Sequence, residues 1–148
     1  MAVEPSAEQV TAIGAAAGGP DDGPVVMLNL NRYRKQAEYA DGALDSEPAK
    51  GRDAYARYAA VAVPTLARVG ARILWHSEAE QTVVGDSSDV YDEVIAVWYP
   101  SRAAFLELAT DREVGKVLHH RLAGLERAAI ICCESGAEPV LTGIELGA

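Results

Sequence analysis

A chain of 148 residues, with 49% apolar and 24% charged side chains, has the size and balance of one globular domain with its own core. A formal charge of −9 repels phosphate backbones and argues against nucleic acid as a partner. No stretch reaches the ~20 apolar residues of a membrane span, and residues 1–19 lack the regions of a signal peptide, so a cytoplasmic protein is expected.

Ser6 and Gln9 have capping-box spacing, and Val10, Ile13 and Ala17 follow at helical intervals until Gly18, Gly19 and Pro20. Asp21, Asp22, Gly23 and Pro24 have turn chemistry. Residues 25–31 read as a strand, with Val26, Leu28 and Leu30 on one face and Val25, Met27, Asn29 and Asn31 on the other. Residues 31–52 are polar and carry Gly42, Pro48 and Gly51. So long a connection is usually functional or partly disordered.

Residues 53–69 predict a helix with a stripe of Tyr55, Tyr58, Ala62, Leu66 and Val69, kinked at Pro64 and ended by Gly70. A strand is expected at 71–76, with 81–85 a strand or its continuation, then another at 91–99, where Val94 to Trp98 is a continuous apolar run. Pro100 and Ser101 stop that strand and start a short helix, 102–109. A second capping box, Thr110 to Glu113, opens a helix that should bury Val114, Leu118, Leu122, Leu125 and Ala129. The last strand is placed at 129–133. Its Cys132 and Cys133 are too close to form a disulfide, cannot make a metal site alone, and are read as two small buried residues in a reducing compartment.

The order is a helix followed by β-α-β-β-α-β: an α+β, ferredoxin-like antiparallel sheet with helices on one face. Residues 1–22 form an N-terminal helical extension, 23–136 the domain, and 137–148 a tail with a further edge pairing at 140–144. The strand at 91–99 is apolar on both sides, so the face without helices must meet something. A second copy under two-fold symmetry is the expected partner, and the space between two such sheets a natural ligand cavity.

Several phrases resemble a known family: residues 23–30 (GPVVMLNL), Tyr55 and Tyr58 with Pro64, Gly70 leading to Trp75, Tyr91 with Asp92, residues 99–105 (YPSRAAF) and residues 119–125 (HHRLAGL). In this order they are similar to the domain of unknown function 1330 family, within the dimeric α/β-barrel superfamily. The resemblance implies the fold and a homodimer, but no settled activity. Relatives in the wider superfamily include cofactor-free monooxygenases, muconolactone-type isomerases and haem enzymes. The chain departs from the family pattern at Leu30, Asn31, Arg32 and Tyr33, where a leucine and arginine usually end the strand, and at Tyr91, which replaces a tryptophan.

Candidate site residues follow from chemistry that sits oddly in a core. Asn29 interrupts an apolar strand face, where it either bonds a neighbouring loop or orients a ligand carbonyl. Asp92 opens the most buried strand and either ties a turn or acts as a base. Arg121 and His119 flank the helix stripe and His120 lies on its far side, so the three cannot share one pocket, and two adjacent histidines do not bind a metal. Arg121 either pairs with Asp92 or holds an anionic or carbonyl group. Trp75, Tyr58 and Tyr99 are core residues or walls of a site. The expectation is a small-molecule-binding homodimer, without metal or cofactor, that handles an apolar or aromatic carbonyl compound. Asp92, His120 and Arg121 would do the chemistry, and Asn29, Tyr58, Trp75, Tyr99 and His119 would bind. The alternative is a non-catalytic dimeric module.

Overall fold

The computed structural model describes residues 2–40 and 48–136. Strand β1, Val25–Tyr33, lies at the centre of a four-stranded antiparallel sheet ordered β2-β3-β1-β4. Its partners are β3 (Glu93–Tyr99) and β4 (Leu125–Glu134), and β2 (Arg72–Glu78) forms the far edge. Helix α2, Gly51–Arg68, joins β1 to β2, while α3 (Arg102–Ala109) and α4 (Arg112–Gly124) join β3 to β4. This is the ferredoxin-like split βαβ arrangement. An added helix α1, Ala7–Ala16, starts at a complete Ser6–Gln9 capping box.

Register decides which residues share a face, because directly opposed residues of an antiparallel pair point the same way. Val25 opposes Tyr99, Met27 opposes Val97, Asn29 opposes Ile95 and Asn31 opposes Glu93. The apolar members of this set pack with Leu66 of α2 and with Ala104 and Leu108 of α3 into the core. The opposite face carries Val26, Leu28, Leu30, Val94, Ala96 and Trp98, with Trp75 and Ile131 from the outer strands. No helix covers it among the described residues. At its edge the Trp98 indole N–H donates to the Gly136 carbonyl, 3.3 Å away. No helix among the described residues is long and apolar enough to cross a membrane.

Several elements differ from the sequence reading. Residues 81–85 are not a strand: Gly85 has φ +155 and Asp86 caps a short 3-10 turn, Ser87–Asp89, leaving Val83 and Val84 almost fully exposed. Helix α4 is capped by Asp111 rather than Thr110, because the Asp111 carboxylate accepts from the Glu113 and Val114 amides. It also ends early, at Gly124, so Leu125 and Ala129 belong to β4, and Leu118 is exposed instead of buried. Cys132 and Cys133 are exposed on edge strand β4, where Cys133 opposes Val26 on the uncovered face. Helix α2 begins two residues earlier than expected and runs through Pro64. The pairing expected at 140–144 lies outside the described residues.

One distant cap ties the layers together. Asp22 accepts from the Arg102 and Ala103 amides at the start of α3, at 2.8 and 3.1 Å, and from Gly18 at 2.8 Å. These bonds, with the Arg102 charge, outweigh the opposing effect of burial and hold its carboxyl below the usual carboxylate range.

Candidate functional site

The helix-covered face of β1 turns polar at Asn29, and a layer of tyrosines gathers above it. Alternation places Asn29, Asn31 and Tyr33 on that one face. The Asn29 amide donates to the carbonyls of Met27 and Ile95, at 3.1 and 3.3 Å, which leaves its oxygen as an acceptor. Asn31 is only 2% exposed. Its amide donates to the Tyr33 hydroxyl at 3.4 Å. The Tyr33 hydroxyl donates in turn to Glu93 Oε1, 2.5 Å away.

Helix α2 supplies the roof. Tyr55 and Tyr58 lie three residues apart on one side of it, and the ring contacts run from Tyr33 to Tyr55 at 5.4 Å and from Tyr55 to Tyr58 at 5.5 Å. Arg52, one turn earlier, lies 4.6 Å above the Tyr33 ring and grips Glu78 with both terminal nitrogens. Tyr99 closes the apolar end with its ring edge-on to Phe105. It is 3% exposed. Among the described residues no hydrogen-bond partner is present for the Tyr58 or Tyr99 hydroxyl. Burial pushes all four tyrosine hydroxyls up, so each is a neutral donor at ordinary pH.

Of the expected site residues, Asn29, Tyr58, Tyr99 and Arg121 belong to this layer. Arg121 acts electrostatically on Tyr55 and Tyr58, and its Nη1 donates to the Val3 carbonyl at 2.6 Å. It does not pair with Asp92. That carboxylate accepts from the Tyr33 amide at 2.8 Å and the Asp92 amide donates to the Asn31 carbonyl at 2.8 Å, so Asp92 fastens the ends of β1 and β3. Trp75 opposes Ala96 and therefore stands on the uncovered face, across the sheet from Asn29. The polar groups thus gather between sheet and helices, while Trp75 faces the other way.

His119 and His120 form a separate group with the 31–52 connection. Their rings lie 4.0 Å apart, and both pack on Tyr39. The Tyr39 hydroxyl accepts from Arg57 at 3.0 Å and meets His120 Nδ1 at 2.7 Å, where it donates when that nitrogen is unprotonated. Burial, then the His119 and Arg57 charges, lowers the His120 pKa. An open groove of about 560 Å³ lies elsewhere, between α1 and the ends of β1 and β4.

Asn31, Tyr33, Tyr55 and Glu93 were not singled out from the sequence. The available signal was the run Asn29, Asn31, Tyr33 at strand spacing, combined with Tyr55 and Tyr58 at helical spacing.

Comparisons with known proteins agree with this architecture. The model of a domain of unknown function (DUF1330) matches residues 47–134. The crystal structure of methylated RPA0582 protein is 31% identical, with a TM-score of 0.79 over 90% of this chain and 94% of that one. A second structure of RPA0582, a protein of unknown function from Rhodopseudomonas palustris, is 30% identical, with a TM-score of 0.77 over 90% of this chain and 95% of that one. No curated protein matches. A family match over more than half the chain, joined to the same fold in a relative of this identity, makes the chain a member of the DUF1330 family.

Proposed function

We propose that the chain binds a small apolar or aromatic carbonyl compound between α2 and the sheet, and that it does so as a homodimer closed through the uncovered sheet faces. The observation that carries the binding site is the pair of Tyr58 and Tyr99 hydroxyls, on largely buried side chains and without a hydrogen-bond partner among the described residues. A ligand oxygen that reaches either hydroxyl gains a hydrogen bond there. Tyr99 belongs to the core cluster with Met27 and Leu66, against which Ile95 and Phe105 pack, and Tyr58 and Asn29 supply one further donor and one acceptor. Few polar groups on an apolar wall is the usual composition of a small-molecule site.

Two measurements on Tyr99→Phe test the site. Without ligand the variant should be as stable as the parent or slightly more so, since no internal bond is lost. With 2-indanone as probe, the parent should gain melting temperature and Tyr99→Phe should bind about tenfold more weakly, the worth of one neutral hydrogen bond. A destabilised variant, or a parent that shows no 2-indanone binding, overturns the reading.

A further inference from the structure

We propose that residues 2–5 are a releasable strap whose Val3 carbonyl occupies the anion seat of Arg121, and that a small carboxylate-bearing compound takes this seat by displacing it. The inference stands apart from the carbonyl site proposed above, because it needs only Arg121 and the strap.

Two bonds hold the strap, one to each neighbouring element. Strand β4 is an edge of the sheet, and on its outer side the Ala128 amide donates to the Ala2 carbonyl at 2.9 Å. One residue on, the Val3 carbonyl accepts from Arg121 Nη1 of α4 at 2.6 Å. Val3 is half-buried, while Ala2, Glu4 and Pro5 are exposed. The helix that follows adds little anchorage: no residue of α1 is buried, and only its Ile13 packs against the core cluster. The strap is therefore held lightly, and its two bonds break without disturbing the sheet.

Arg121 is the point where the strap can be exchanged. Among the described residues no carboxylate pairs with it, whereas Arg32, Arg34, Arg52, Arg68 and Arg102 each have one. Its charge acts instead on the neutral Tyr55 and Tyr58 and on the Val3 carbonyl. A guanidinium carries five donors in a planar fork and takes a carboxylate through two parallel charge-assisted bonds, each roughly twice as strong as a neutral one. The single neutral carbonyl of Val3 leaves most of that capacity unused. What favours Val3 is its tether, which keeps it at a high effective concentration beside the guanidinium. A carboxylate wins the exchange once its own concentration outweighs that tether. The seat needs no preformed void, because the strap fills it until the anion arrives.

Hydrogen exchange of the Ala128 amide, read by NMR, tests the strap and the seat separately. In Arg121→Met the strap loses one of its two bonds, and the Ala128 amide should exchange about tenfold faster, the worth of a hydrogen bond to a charged group. Amides of β1 and β3 at the centre of the sheet should keep their protection, which shows that the variant folds. In the parent, sodium benzoate at rising concentration should speed Ala128 exchange, sodium chloride at the same ionic strength should not, and benzoate should add nothing in Arg121→Met. Unchanged Ala128 exchange in a folded Arg121→Met overturns the strap. Parent exchange that benzoate leaves unchanged, or that chloride speeds equally, overturns the seat, and this arm decides the proposal even where Arg121→Met does not fold. Neither failure touches 2-indanone binding, and absence of 2-indanone binding leaves the strap and its seat standing.

Discussion

Single residues in this protein owe their chemistry to partners distant in sequence. His120 is an example: its neutral form is favoured by burial, then by His119 beside it and Arg57 behind Tyr39. A histidine whose folded pKa lies below its unfolded value binds fewer protons folded than unfolded. Its contribution to stability is fully present above about pH 6.5 and is given up as pH falls from there through the lower folded value. We expect the His120 ring to titrate below the ordinary histidine range by NMR, and the midpoint to rise in Arg57→Met while staying depressed by burial. A midpoint at or above the ordinary value would contradict this environment. The sequence marked His120 as a candidate but did not show its partner, because Tyr39 reaches it from a connection 81 residues earlier. Asp22 is the same case: its neighbours identify a turn, and only folding brings it to the start of α3.

At the scale of elements, the contact between α2 and α4 positions the tyrosine roof. Gly51 opens α2 and Gly124 ends α4, and they meet backbone to backbone. A Cβ at Gly51 would overlap the carbonyl oxygens of Arg34 and Gly124, and one at Gly124 would overlap that of Gly51. The Arg34 amide donates to the Gly124 carbonyl at 2.8 Å, and the Gly51 amide donates to the Arg34 carbonyl at 3.1 Å. Gly124→Ala must push the two elements apart. We expect it to cost about 1–3 kcal/mol, as overpacking does, measured by urea denaturation. Unchanged stability would show that the contact yields freely. This junction also explains a misplaced boundary. Leu118, Leu122 and Leu125 continue the helical period, so nothing in the spacing ends α4 at Gly124. The end is set by the close approach of Gly51 and by Leu125 joining the sheet beside Tyr33.

For the whole molecule, the consequence of a one-sided helix layer is the apolar sheet face. Leu28 and Leu30 stand on it with Val94, Ala96, Trp75 and Ile131. A patch of this kind usually marks an interaction site. The two-fold pairing proposed here predicts a dimer by light scattering at micromolar concentration. Leu28→Lys, at the centre of the face and away from the tyrosine layer, should give a folded monomer. A parent that is monomeric in this assay would refute the pairing.

The sequence alone determined the element order and the antiparallel α+β class, because hydrophobic spacing and capping residues are local. It also determined that β3 is apolar on both sides, from which the uncovered face follows. Only the tertiary structure decided which face of β1 the helices cover, since alternation fixes two faces but not their neighbours. That choice placed Asn29 with Tyr58, Tyr99 and Arg121 inside the molecule and left Trp75 outside. Strand register then made the final distinction between adjacent carboxylates, turning Asp92 to a backbone amide and Glu93 to the Tyr33 hydroxyl.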